Sequence, residues 1–156
     1  MTEKSEGKPV ACYRTDADWS DETDHILEVA CSDGRFHEAH EELFRTHLGL
    51  KRPDAIMLPG GPAAFVLAAP WFFALRPQIS LLQEAHGLKR IFAIAHECCA
   101  YYKNKYPGLD AEEIRKQQVA DLMEFRQEVS KLAPGAAVEL FYEKPEEGHV
   151  AYYVVD

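Results

Sequence analysis

The sequence predicts an α/β domain: a mainly parallel central sheet flanked by helices, with an antiparallel C-terminal edge strand. Three observations predict it. Short, mostly apolar runs rich in strand formers alternate with longer segments of helical spacing, the pattern of strands covered by crossover helices. The last two strand-like runs are joined only by Lys144-Pro145-Glu146-Glu147-Gly148, a hairpin connection. The chain has 156 residues, of which 47% are hydrophobic and 28% charged, enough for one domain with its own core and no disulfides.

Residues 1–23 are polar and acidic and read as an N-terminal arm or tail, which Val10, Tyr13 and Trp19 could pin to a neighbour. Residues 24–156 form the single α/β domain. Ile26-Leu27-Glu28-Val29-Ala30 has the composition of a buried strand and ends in the polar turn Cys31-Ser32-Asp33-Gly34-Arg35. Phe36, Leu43, Phe44 and Leu48 recur near helical spacing, and Gly49 supplies a stop. Ala55 to Leu58 is a second strand, closed by Pro59-Gly60-Gly61-Pro62. An apolar helical stretch follows, broken near Pro70 and Pro77, and then a better helix from Gln78 to His86. Leu88 to Ala95 is the third strand. A long helix runs from about Asp110 to Leu132, with Asp110 and Glu113 as a capping box and an apolar stripe of Ile114, Leu122, Phe125, Val129 and Leu132. Val138 to Glu143 and Val150 to Val155 make the hairpin.

The charge balance narrows the function. Twenty-six acidic against 17 basic side chains give a net charge of -9, which repels phosphate backbones and argues against a nucleic-acid partner. The longest apolar stretch, Ala63 to Leu75, contains Pro70 and falls short of the ~20 residues a bilayer needs. The first ten residues have no apolar run of the secretory kind, so the expected compartment is the cytoplasm. There, the four cysteines (Cys12, Cys31, Cys98, Cys99) are expected as thiols or metal ligands.

In a parallel sheet the ligand site lies outside the carboxyl ends of the strands. Cys31 ends the first strand, and His96 and Cys99 follow the third, three residues apart. One turn could present His96 and Cys99 to one ion, and a Cys₂His set with an open fourth position is a known catalytic zinc arrangement. Soft thiolates favour zinc over magnesium or calcium. The same residues also fit ordinary buried core cysteines. Asp33, two residues beyond Cys31, faces the same side of an extended segment. Arg35 could hold it ionised through a charge-assisted pair. His37-Glu38-Ala39-His40-Glu41 has histidines three apart, not the four of a metalloprotease helix, and reads as a solvated helix face from which one histidine could relay protons. Cys98 reads as a spare thiol, Gly60-Gly61 as a tight turn or an anion cradle, and Trp71-Phe72-Phe73 as core or dimer contact.

With these residues in hand, the sequence resembles the β-class carbonic anhydrases. Cys31-Ser32-Asp33-Gly34-Arg35 is similar to their Cys-x-Asp-Ser-Arg, and His96-Glu97-Cys98-Cys99 to their His-x-x-Cys. Residues 80–91 resemble the helix and strand that lead into the zinc histidine, and Phe141-Tyr142-Glu143 with Gly148 resembles the closing segment. The resemblance implies one zinc per chain held by Cys31, His96 and Cys99, with Asp33 and Arg35 as the catalytic dyad. It implies reversible hydration of carbon dioxide to bicarbonate by a zinc-bound hydroxide that the dyad orients, in a homodimer or an assembly of dimers. Gly34 replaces the family's serine, Leu58-Pro59-Gly60-Gly61 replaces its Arg-Asn-Ala-Gly segment, Glu97 replaces a small hydroxyl residue, and Ala100 replaces a glycine. Two alternatives follow: a same-scaffold hydrolase of carbonyl sulfide or carbon disulfide, and a non-catalytic zinc-binding relative acting as an interaction module.

Overall fold

Five strands account for the apolar runs, and their order sets everything that follows. The computed structural model describes residues 11–156. In chain order the elements begin with β1 (Ile26–Cys31), helix α1 (His37–Glu42), a wide π-helical turn (Leu43–His47) and β2 (Asp54–Leu58). A 3-10 turn (Gly61–Phe65), α2 (Phe72–His86), β3 (Arg90–His96) and α3 (Ala100–Lys105) follow. The chain closes with α4 (Ala111–Leu132), β4 (Ala137–Glu146) and β5 (His149–Val155). The sheet order is β2-β1-β3-β4-β5. The first three pairings are parallel and β4–β5 is antiparallel, as the fold class predicts.

The two middle strands are covered on both faces, which is why their sequences are nearly unbroken apolar runs. Leu27, Val29, Ile91 and Ala93 face one side, where Leu122, Phe125 and Val129 of α4 and Ile79 of α2 complete the larger core. Ile26, Ala30, Phe92 and Ile94 face the other, against Leu43 and Phe44. Edge-to-face ring pairs fix both layers, Phe65 on Phe125 and Phe44 on Phe92. At the start of α4, Asp110 accepts from the Glu113 N–H and the Glu113 carboxylate accepts from the Asp110 N–H, each at 2.9 Å. The capping box read from the sequence is formed.

Several expectations change. The proline at 77 does not end a helix: α2 starts at Phe72 and runs through it. Pro77 cannot donate to the carbonyl of Phe73 and crowds it, but Phe73 lies in the first turn of the helix and is itself exposed. The apolar stretch after β2 makes a 3-10 turn rather than a helix. The helix expected over Phe36 to Leu48 is α1 continued by the π turn, whose Leu48 N–H reaches back to the Leu43 carbonyl. Helix α3 was not expected at all. Of Trp71-Phe72-Phe73, only Phe72 is core; Trp71 and Phe73 are exposed. Of the expected arm, residues 1–10 lie outside the described residues, while residues 11–23 include the exposed Tyr13 and Trp19. Among the described residues, no helix is long and apolar enough to cross a membrane.

The capping box gives a direct test of this register. Replacing Asp110 by Ala should cost about 1 kcal/mol and lower the midpoint of a thermal melt by roughly 2–4 °C. An unchanged midpoint would show that the start of α4 is held by something else.

Candidate metal centre

Because β1 and β3 are parallel neighbours, with Val29 opposite Ala93, their C-terminal ends Cys31 and His96 emerge at one edge of the sheet. The chain then turns sharply. Cys98 takes a left-handed conformation (φ 61°), and Cys99 occupies the N-cap of α3 with extended backbone. That turn folds Cys99 back towards Cys31. Ligand atoms of Cys31, His96 and Cys99 all lie within 4.8 Å of one another, a group that could hold a metal ion. Cys98 is exposed and stands outside the group.

The donors are prepared for a cation. His96 Nδ1 lies 2.9 Å from the Glu97 carbonyl, to which it donates as N–H, so Nε2 is left as the free lone pair. Nε2 is buried and has no hydrogen-bond partner among the described residues. An orphaned buried acceptor beside two thiols is costly unless something fills it. The two sulfurs are 3.9 Å apart. Without a cation they share a proton: the hydrogen bond from Cys99 lowers the Cys31 pKa and pushes that of Cys99 up. At His96, burial disfavours the cation, but the Cys31 thiolate and the Glu97 carbonyl reverse that, and its pKa is raised. A divalent ion displaces these protons and satisfies all three donors together. The set therefore fits a soft or borderline metal such as zinc.

Neighbouring groups tune the cluster. The Gly60 N–H donates to Cys31 Sγ at 3.4 Å. The two glycines are needed for this approach: both have positive φ, and a Cβ on Gly61 would sit 2.7 Å from the Ala30 carbonyl carbon. The Gly pair is thus a tight turn that lends an N–H to a thiolate. Gln118, buried on α4, donates through Nε2 to the His96 carbonyl at 2.8 Å. Ala63, Tyr102 and Ile114 pack around Cys99, and the Phe36 ring lies 4.5 Å from that of His96.

Asp33 and Arg35 meet as the sequence suggests. Arg35 Nε donates to Asp33 Oδ1 at 2.9 Å and Nη2 to Oδ2 at 2.6 Å, a two-pronged pair reinforced by the Arg35 backbone N–H at 3.2 Å. The guanidinium holds the Asp33 carboxyl down at about 2. Arg35 is 70% exposed, so the pair orients a carboxylate more than it stabilises the fold.

One expectation is overturned and two groups were missed. The His37–Glu41 segment is not simply a solvated face: His37 is exposed, but His40 is buried between Glu28 and Glu143. Gln118 and Glu28 carried a readable signal, since each is a polar residue inside an otherwise apolar stripe or strand. That Glu28 and Glu143 close on His40 had no such signal, because the three lie far apart in the chain.

Comparisons with known proteins agree with this fold. A family model described as "Putative carbonic anhydrase" matches residues 21–147. The β-carbonic anhydrase isoform I of Trichomonas vaginalis superposes with a TM-score of 0.54 at 16% identity, over 89% of this chain and 87% of its own. The β-carbonic anhydrase CafA of Aspergillus fumigatus gives 0.53 at 15% identity, over 83% and 74%. CafD of the same fungus gives 0.52 at 8% identity, over 93% and 96%. At these identities the likeness is one of fold. No curated protein sequence matches the chain.

The geometry predicts a spectroscopic result. Cobalt(II) added to metal-free protein should produce thiolate-to-metal charge-transfer absorption that saturates at one ion per chain. Cys31→Ser and Cys99→Ser should each weaken that band, His96→Ala should lower the affinity, and Cys98→Ser should change nothing. A band that depends on Cys98 instead of Cys99 would contradict the cluster.

Proposed function

The chain belongs to the carbonic anhydrase family whose model spans residues 21–147, and on that premise we propose that it is a zinc enzyme for the reversible hydration of carbon dioxide. The observation that carries the reading is the cluster itself. It brings together three protein donors rather than four, the arrangement of zinc sites that keep a coordination position for chemistry. Cys31 and Cys99, as thiolates, and His96 through Nε2 would hold the ion. When bound, zinc supplies the Lewis acidity that lets a water give up its proton near neutral pH.

The protein's own residues do the rest. Two thiolates cancel the formal charge of a divalent ion, so the site leaves water less acidic than a three-histidine set and gains from a neighbouring acceptor. Asp33 is that acceptor in this reading. Its carboxylate takes a hydrogen bond from the reacting water and so fixes the direction of the oxygen lone pair. Arg35 holds the carboxylate ionised and turned. With a pKa near 2 against an ordinary value of 3.8, Asp33 is charged throughout the working range, and its charge is lost as pH falls through about 2. Any rise in rate between pH 7 and pH 9 therefore belongs to the water and not to the dyad. The reading also takes the chain as a homodimer or an assembly of dimers, supported by the exposed Leu67, Trp71 and Phe73.

Asp33→Asn separates an enzyme from a zinc-binding module. An amide neither pairs with a guanidinium nor accepts as strongly, so the variant should keep its zinc and lose roughly 10–100-fold in stopped-flow CO₂ hydration. Full zinc with an undiminished rate would remove Asp33 from the mechanism. Zinc lost together with activity would make Asp33 a structural ligand.

A further inference from the structure

Helix α1 is six residues long, and its N-terminus receives no side-chain cap. A helix this short does not persist by itself in water, so its place is set by what it packs against. Phe36, Leu43 and Phe44 supply apolar contact, which is strong but not directional. His40 supplies the direction. It is 3% exposed, with Nδ1 2.7 Å from Glu28 Oε1 and Nε2 3.0 Å from both carboxylate oxygens of Glu143. Glu28 and Glu143 are themselves buried, at 4% and 1% exposure. They come from β1 and β4, the two strands that flank β3, so the bridge crosses over the strand that ends in His96.

Backbone hydrogen bonds lead from this bridge to the metal centre. The His40 N–H donates to the Phe36 carbonyl at 3.0 Å, and the Phe36 N–H donates to the Asp33 carbonyl at 3.2 Å. Phe36 also carries the ring that lies against His96. At the other end, the Glu97 N–H donates to the Glu143 carbonyl at 2.9 Å, at the start of the turn that presents Cys99. We propose that His40 is a positioning residue for the site: clamped between Glu28 and Glu143, it fixes the first turn of α1 and, through Phe36, the place of Asp33 relative to the ligand cluster. This rests on Asp33 and Arg35 being the working pair.

The clamp needs a cation. A neutral imidazole has one N–H to give and would turn a lone pair towards the second carboxylate. Burial alone lowers the His40 pKa, but the Glu143 and Glu28 carboxylates set against its two nitrogens more than reverse this and raise it to about 9. The other groups facing His40 are Tyr152 of β5 and His37 on its own helix, with Glu41, Arg45 and Lys51 around the adjoining cleft. A raised pKa means that the contribution is complete below the ordinary histidine value of 6.5 and is lost as pH rises through about 9. The clamp therefore holds at neutral pH and releases in alkali.

The test uses the full zinc-loaded chain and the Arg35 Nε–H signal in nitrogen-15 NMR, assigned by its absence from Arg35→Lys. In the wild type this signal should stay fixed from pH 6.5 to 8 and move only as pH approaches 9. In His40→Gln, folded and zinc-loaded, it should already be displaced at pH 7. The kcat for CO₂ hydration should fall roughly 10–100-fold, with KM little changed. An unmoved Arg35 signal in folded His40→Gln overturns the proposal. Should that variant not fold, Glu143→Gln decides. It keeps the histidine and one carboxylate, and should bring the alkaline transition of the Arg35 signal down towards the ordinary histidine value; an unshifted transition overturns the proposal. If the wild type hydrates no CO₂ while the Arg35 signal still answers to His40, the enzymatic reading fails and the positioning role stands.

Discussion

The parallel pairing of β1 with β3 is the constraint on which the rest of the structure depends. Parallel neighbours put their carboxyl ends on the same edge, and here those ends are Cys31 and His96. A one-residue slip would turn every side chain of one strand to the opposite face. Such a slip would turn Glu28 away from His40 and into the larger apolar core. The burial that fixes the register thus fixes the distance between two candidate ligands that lie far apart in the chain. The third candidate, Cys99, is placed locally, by the left-handed turn at Cys98 and its own N-cap position.

Around that edge the protein buries more ionisable groups than its size requires. Glu28, His40, His96 and Glu143 are all at or below 4% exposure. Buried ion pairs seldom add net stability, since desolvation consumes most of the attraction. What they add is a unique arrangement, because removing any member leaves a buried charge unpaired. The placement fits that role. The acids stand on the strands flanking the one that delivers His96, and the histidine belongs to the helix that begins just after Asp33 and Arg35. The apolar layers make the domain stable, and the polar bridge fixes where the loop of the site sits. Gln118 acts in the same way from the other face, holding the carbonyl of His96 from within the stripe of α4.

Much of this was legible in the sequence wherever local pattern and burial agree. Strands β1 and β3 announce themselves because burial on both faces leaves them almost wholly apolar, and α4 because its cap and stripe are regular. Cys31, His96 and Cys99 were legible as a set through motif spacing, which the topology then brings together. The failures have physical causes. Pro77 suggested a break, but the carbonyl it leaves without a donor belongs to Phe73 in the first turn, and the helix continues to His86. Helix α3 is a six-residue segment whose start is set by the turn after His96 and not by its own propensity. His40 sits in His37-Glu38-Ala39-His40-Glu41-Glu42, a composition that belongs to the surface; its burial depends on Glu28 and Glu143, which no local window contains.

The central claim is that strand register, and not a preformed loop, assembles a site of two thiolates and one imidazole for a single ion. X-ray absorption at the zinc edge, on protein purified without added metal and with its zinc content measured, tests this most directly. The account predicts about one zinc per chain with two sulfur scatterers near ~2.3 Å and nitrogen or oxygen scatterers near ~2.0–2.1 Å. A folded protein without metal, or a zinc surrounded only by nitrogen and oxygen, would contradict it.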